Sequence, residues 1–184
     1  MGSIDDLRKH RLSIAWKAWK VCRLHLWASS STMKAKPETE RHRMSIRFER
    51  GNKPDAFAVR TAVFMDEQGF ENEFEPLDEI DSTIHVTMYA GDELVGCARV
   101  FPDTDDPARY VFGRLAVLPP YRKNGYGGLL LEESERCARE AGAREMHLHA
   151  QCYITGFYHA YGYAEYGDVE LDEHVEHIWM KKAL

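Results

Sequence analysis

The segment Gly113–Gly128, GRLAVLPPYRKNGYGG, decides how the rest of the chain is read. Its first half is apolar and strand-like, and Pro119 and Pro120 end it. Arg122, Lys123, Asn124, Gly125, Tyr126, Gly127 and Gly128 then make a basic, glycine-rich turn. Tyr126–Ala141 follows as an amphipathic helix, with Leu130, Ser134, Cys137 and Ala141 on one face and Glu132, Glu133, Arg136 and Arg139 on the other. Strand, glycine turn and helix together let backbone N–H groups converge on an anion where the helix macrodipole favours it. The spacing predicts a bound pyrophosphate. No GxxxxGK[ST] loop is present, and Gly125–Gly128 lacks the third glycine of a dinucleotide fingerprint. A glycine-rich connection with no ligand is the alternative. The strand, the basic pair and the long helix together weigh towards a ligand.

Outward from this segment the pattern alternates between strands and helices. Ser45–Glu49, Thr83–Ala90, Glu93–Phe101, Tyr110–Leu118, Arg144–Ala150 and Val175–Lys181 are predicted strands, with Gly91-Asp92 as a hairpin turn. Pro54–Gln68 is a predicted helix, started by Pro54 and facing inward through Ala56, Val59 and Val63. Tyr153–Tyr161 is a short one. Strands mixed with helices, including a hairpin, predict one α/β domain on a mixed sheet.

The 184 residues suffice for one domain and an appendage. With 44% hydrophobic and 29% charged residues the chain is globular, which excludes collagen-like and wholly disordered classes. No apolar run suits a membrane span or a secretory signal. Cys22, Cys97, Cys137 and Cys152 are widely spaced, the usage of a reduced cytoplasmic protein and neither a disulfide framework nor a zinc site. Residues 1–43 carry ten Lys/Arg and four Asp/Glu, a balance of +6; the remainder carries 14 and 26, a balance of −12. The acidic body argues against a nucleic-acid surface and suits a cationic small substrate. The basic tail holds Trp16, Trp19 and Trp27, and a membrane-surface or partner-docking helix is one reading of it. A polar linker, Ser29–Thr32 and Lys34–Arg43, favours instead an incidental or poorly ordered extension ahead of a domain at 44–184.

Arg122, Gly125 and Gly127 match in order and spacing the coenzyme A motif of the GNAT acyltransferase superfamily, which the chain resembles. Leu115-Ala116-Val117 matches the end of that family's fourth strand, and Phe157–Tyr163 its FYxxxGF segment. A narrower resemblance, to a sub-branch of small GNAT proteins, runs through Val63–Gln68, Asp78, Asp81, His85, Ala150-Gln151 and Glu173–His177. The resemblance covers roughly residues 44–184. It implies a largely antiparallel sheet of six to seven strands with about four helices, and fourth and fifth strands that splay around the pantetheine arm. It also implies direct transfer of an acetyl group from acetyl-CoA, a co-substrate, to an amine, without a covalent enzyme intermediate. Dimers are common in such families, so a homodimer is compatible with it.

That chemistry sets requirements. An amine of pKa near 10.4 is only about one part in a thousand neutral at pH 7, so a proton must be removed. The leaving thiolate needs a proton, and the carbonyl oxygen needs donors. The resemblance assigns those donors to backbone N–H groups of Leu115, Ala116 and Val117, and the acid to Tyr158. Gln151 stands where many members have an Asn that contacts the coenzyme. The acidic stretch Asp66–Asp81 holds eight carboxylates and no Lys or Arg; it can house a base or be a solvated loop. Glu67 is the candidate base, with His85 and His177 behind it as residues more often structural, and a water chain as the alternative. His147 and His149 alternate as metal ligands would, but no third ligand accompanies them. A GNAT-fold module that binds acyl-CoA without turning it over is the rival reading.

Overall fold

The computed structural model describes residues 45–184. The basic extension read at 1–43 lies outside the described residues. Seven strands form one sheet: β1 (Ile46–Arg50), β2 (Ile84–Ala90), β3 (Glu93–Pro102), β4 (Arg109–Val117), β5 (Glu145–Gln151), β6 (Ala164–Asp172) and β7 (Val175–Ala183). Their order is β1-β2-β3-β4-β5-β7-β6, and every neighbouring pair is antiparallel except β4 with β5. A parallel pair needs a crossover, and α2 (Tyr126–Glu140) supplies it.

Leu130 and Leu131 of α2 are fully buried against Met88, Val100, Phe112, Leu148 and Met180. Each such side chain contributes about 1.5–3 kcal/mol on leaving water. The opposite sheet face is covered by α1 (Lys53–Arg60), through Ala56 and Val59 against Cys97 and Ala116. Asn52 caps α1 by accepting from the Asp55 N–H at 3.3 Å. From Thr61 to Glu67 the same rod continues as a π-helix, so the single helix expected over Pro54–Gln68 changes its winding midway.

Among the described residues there are three α-helices, α1, α2 and the short α3 (Thr155–Ala160), beside the π-helical turn, and with seven strands this is the expected architecture; Pro76–Glu79 makes a 3₁₀ turn. The edge strand β6 has no counterpart among the strands that the sequence predicts individually. Its residues are nearly all exposed, it contains Gly167, and its pairing with β7 is interrupted between Tyr166 and Glu170. A solvated edge held by ladder hydrogen bonds has no reason to alternate apolar and polar.

Candidate active site

The site begins where the sheet opens. β4 and β5 pair from Arg109↔Glu145 only as far as Phe112↔Leu148, and beyond that point no strand partners the β5-facing edge of β4. A bulge lies at the same level. Against β3 the register runs Cys97↔Ala116 and then Arg99↔Gly113, so β4 carries an extra residue there. Arg114 takes it up at φ +54°, a left-handed conformation uncommon for a residue with a side chain. The bulge inverts the alternation: Ala116 packs towards α1, whereas Phe112, four residues earlier, packs towards α2.

Arg114 is held by the stretch the sequence left as loop or base. Its guanidinium pairs with Glu73 at 3.0 Å and Glu75 at 3.4 Å. Behind it, buried Arg60 pairs with Glu73 and Asp78, each at 2.6 Å, and Arg99 pairs with Asp78 at 2.8 Å and Glu75 at 2.7 Å. Burial alone would raise the Asp78 carboxyl, but Arg60 and Arg99 outweigh it and hold it well below the usual range. Three arginines thus tie this segment under the sheet, and no solvated loop is formed by Glu73 and Asp78. His85, also fully buried, meets the Asp78 carbonyl through Nε2 at 3.0 Å, and burial pushes its pKa down.

A cavity of about 480 Å³ occupies the opening. Phe112, Leu148 and Tyr158 line it from the α2 face, while Gly113, His149 and His177 line it from the α1 face. It therefore passes through the gap between the strands. Tyr158 is 5% exposed, set among Phe112, Phe157 and Tyr163. Burial, with Tyr153 nearby, pushes its phenol well above the ordinary value, so it stands protonated. Leu115 lines the cavity; Ala116 and Val117 continue β4 beside it. Gln151 also lines it, donating to Gln68 Oε1 at 3.0 Å and accepting from Tyr153. The β6–β7 turn spans the α1 side: the Glu173 carboxylate accepts from the backbone N–H groups of Glu71 and Asn72 at 3.0–3.2 Å, and His174 meets the Gln68 carbonyl at 3.0 Å.

The glycine turn stands at the end of β4 as α2 begins. Lys123 and Gly125 both have positive φ, +66° and +78°. Gly125 is the N-cap, no side chain caps the helix, and its first turn contains no acidic residue. The first N–H groups of α2 are thus left for an outside acceptor. Asn124 folds back on the turn, donating to the Tyr121 carbonyl at 2.9 Å. Gly128 answers a packing need, since a Cβ there would fall 1.8 Å from the Tyr161 hydroxyl oxygen. Tyr126 packs against the core. Arg122 donates from Nε to the Val117 carbonyl at 2.9 Å and grips Glu67 through both terminal nitrogens at 2.6 and 2.7 Å. That grip holds the Glu67 carboxyl below its ordinary pKa. Glu67 does not line the cavity.

The histidines separate by surroundings. His147 hydrogen-bonds the Tyr166 hydroxyl at 2.7 Å, on the far side of β5 from the core. His149 and His177 face the cavity together, their ring centroids 4.9 Å apart, with Trp179 stacked 4.8 Å from His149. The sequence offered no signal for this grouping beyond the residue types, because β5–β7 register brings them together.

Residues 52–184 match the family described as Acetyltransferase (GNAT) domain. The chain is 34% identical over 130 residues to the uncharacterized N-acetyltransferase YjcF of Bacillus subtilis, covering 70% of this chain and 90% of that one. ElaA of Escherichia coli is 29% identical over 128 residues, covering 67% and 82%; its crystal structure superposes with a TM-score of 0.67 at 24% identity, over 75% of this chain and 99% of that one. A Bacillus subtilis acetyltransferase solved in complex with CoA has the same fold, with a TM-score of 0.58 at 16% identity, covering 76% and 99%.

Proposed function

The chain belongs to the GNAT acetyltransferase family, and on that premise we propose that it transfers the acetyl group of acetyl-CoA directly to the primary amine of a small cationic molecule or to an exposed amino group. Acyl transfer is the family's activity; the acetyl donor and the amine acceptor are this proposal. The observation that carries it is the cavity that passes through the opened sheet, with a protonated phenol on one face and His149 and His177 on the other.

The turn at Arg122–Gly128 suits a pyrophosphate. It offers uncapped helix N–H groups, a left-handed Gly125 whose Cβ position is open, and the Arg122 and Lys123 charges. When bound, acetyl-CoA would supply a thioester whose sulfur is a competent leaving group. Tyr158, a buried phenol on the cavity wall, is the general acid that would give that sulfur its proton. Backbone N–H groups within Leu115–Val117, those turned to the edge that β5 leaves unpaired, are the donors for the carbonyl oxygen. Gln151 keeps an amide at the cavity wall. Glu67 enters through Arg122, and whether it also moves a proton is decided by Glu67→Gln. Asp172 and Glu173 at the acceptor side, with the −12 balance of residues 44–184, support a cationic acceptor. Free thiols at Cys97, Cys137 and Cys152 support a cytoplasmic setting, and among the described residues no helix is long and apolar enough to cross a membrane.

Calorimetric titration of acetyl-CoA and CoA into the full chain, followed by CoA release with a panel of amines, tests the reading. Micromolar binding, about −8 kcal/mol, with amine-dependent release supports it. Binding without release for any amine would favour a non-catalytic acyl-CoA module, and no binding to folded protein would sink both.

A further inference from the structure

We propose that His177 is the base that takes the proton from the attacking amine, with His149 beside it as a positioning residue. The proposal rests on the amine acyltransferase reading above. His177 sits on β7 opposite Gln151, just past the point where β4 and β5 part, and the residue is 6% exposed. Its Nδ1 lies 3.0 Å from the carbonyl oxygen of Val175. A carbonyl can only accept, so Nδ1 carries the hydrogen and the lone pair of the neutral ring is on Nε2. Nε2 has no hydrogen-bond partner among the described residues, and the ring lines the cavity.

Acidic residues stand beside it on the neighbouring strand and turn. Glu170 of β6 is the cross-strand neighbour of His177, and Asp172 and Glu173 follow on the same hairpin. Glu73, Arg99 and Arg114 face it across the cavity, but those three are engaged with one another or with Asp78 and Glu75. His149 stacks on Trp179 and directs a buried, unpartnered Nε2 to within 3.5 Å of Glu170. Burial and the neighbouring His177 push the pKa of His149 down, which keeps the His149 ring neutral. Glu67, by contrast, is outside the cavity lining and doubly held by Arg122.

The step balances with acid and base on opposite faces of the sheet. The amine nitrogen's lone pair forms the new C–N bond and the C–S bond breaks with its electrons on sulfur. His177 Nε2 takes the N–H proton, and sulfur receives a proton from Tyr158. His177 then returns its proton to solvent and Tyr158 recovers one, leaving an amide and a free thiol.

The test combines three measurements on the full chain. First, ¹⁵N NMR of the ligand-free protein is expected to show His177 in its Nδ1–H form; an Nε2–H form would overturn the proposal without any turnover assay. Second, His177→Gln should bind acetyl-CoA within about two-fold of the parent by calorimetry. Third, in that variant kcat/KM at pH 7 with spermidine as probe amine should fall by roughly 10²–10⁴. Its remaining rate should climb with pH towards the amine pKa, where the parent levels off, and slow acetyl-CoA hydrolysis, with water in place of the amine, should fall in parallel. Unchanged transfer and hydrolysis in His177→Gln, or an equal loss confined to Glu67→Gln, would overturn the proposal. Failure of the parent to bind acetyl-CoA would instead sink the reading beneath it.

Discussion

Glu67 and Arg122 form a two-pronged ion pair, 2.6 and 2.7 Å, that joins the end of the π-helical turn to the glycine turn at the head of α2. The same guanidinium is the one the coenzyme motif would direct at a pyrophosphate. Both side chains are about two-fifths exposed, 38% and 40%, so the pair contributes at most about 1 kcal/mol. Glu67→Gln is expected to free Arg122 and tighten acetyl-CoA binding by roughly two- to five-fold, with kcat retained. Calorimetry at two salt concentrations checks it; weaker binding would mean that Glu67 orients Arg122 for the ligand.

Tyr158→Phe removes one hydroxyl from a buried setting edged by the rings of Phe112, Phe157 and Tyr163. CoA release should slow by about 10²–10⁴ while acetyl-CoA affinity stays the same. Unaltered release would take Tyr158 out of the chemistry.

Gly125→Val places a β-branched residue at φ +78°, where even an unbranched side chain is strained by about 1–2 kcal/mol. Beyond its chain neighbours, no atom of the described residues lies within 4 Å of the added Cβ, so the fold should survive by circular dichroism. Acetyl-CoA affinity should drop at least ten-fold, because the N–H groups of the turn lose their alignment. Normal affinity would move the cradle elsewhere.

Asp78→Asn leaves Arg60 and Arg99 buried with one partner fewer, and about 3–5 kcal/mol of stability should be lost. The acid side of the parent's stability follows the same pair. The folded Asp78 carboxyl titrates below its unfolded value of about 3.9, so its contribution is fully present above that pH and fades as pH falls below it. Urea melts between pH 2 and 6 should show a steepening loss under pH 4 in the parent and a weaker slope in Asp78→Asn.

Elements whose residues pay attention to only one neighbour were legible beforehand. The Gly91-Asp92 hairpin is local, and α2 shows its buried stripe at Leu130, Ser134 and Cys137 because one face meets one sheet. The glycine turn was equally plain, since positive φ at Gly125 and an uncapped helix start are backbone demands written at single positions. β6 escaped because an exposed edge leaves side chains unconstrained. Asp66–Asp81 was ambiguous because an acidic run looks alike whether water or arginine neutralises it; Arg60, Arg99 and Arg114 come from three different elements. His149 and His177 were read as separate residues 28 positions apart, and only the β5–β7 ladder makes them neighbours.

By itself, then, the sequence determined the alternation of strands and helices and the place of the glycine turn, because periodicity, helix starts and glycine conformations act over a few residues; the resemblance to the family was carried by the motifs at Arg122–Gly127 and Phe157–Tyr163. The tertiary structure alone decided that β4 and β5 separate after Phe112 and Leu148, that a bulge at Arg114 turns the strand over, and that Tyr158 and His177 come to opposite faces of one cavity. Those features depend on where ladder pairing stops and on which charges neutralise one another across the fold. Such long-range choices are settled by register and packing, which no local stretch of the chain encodes.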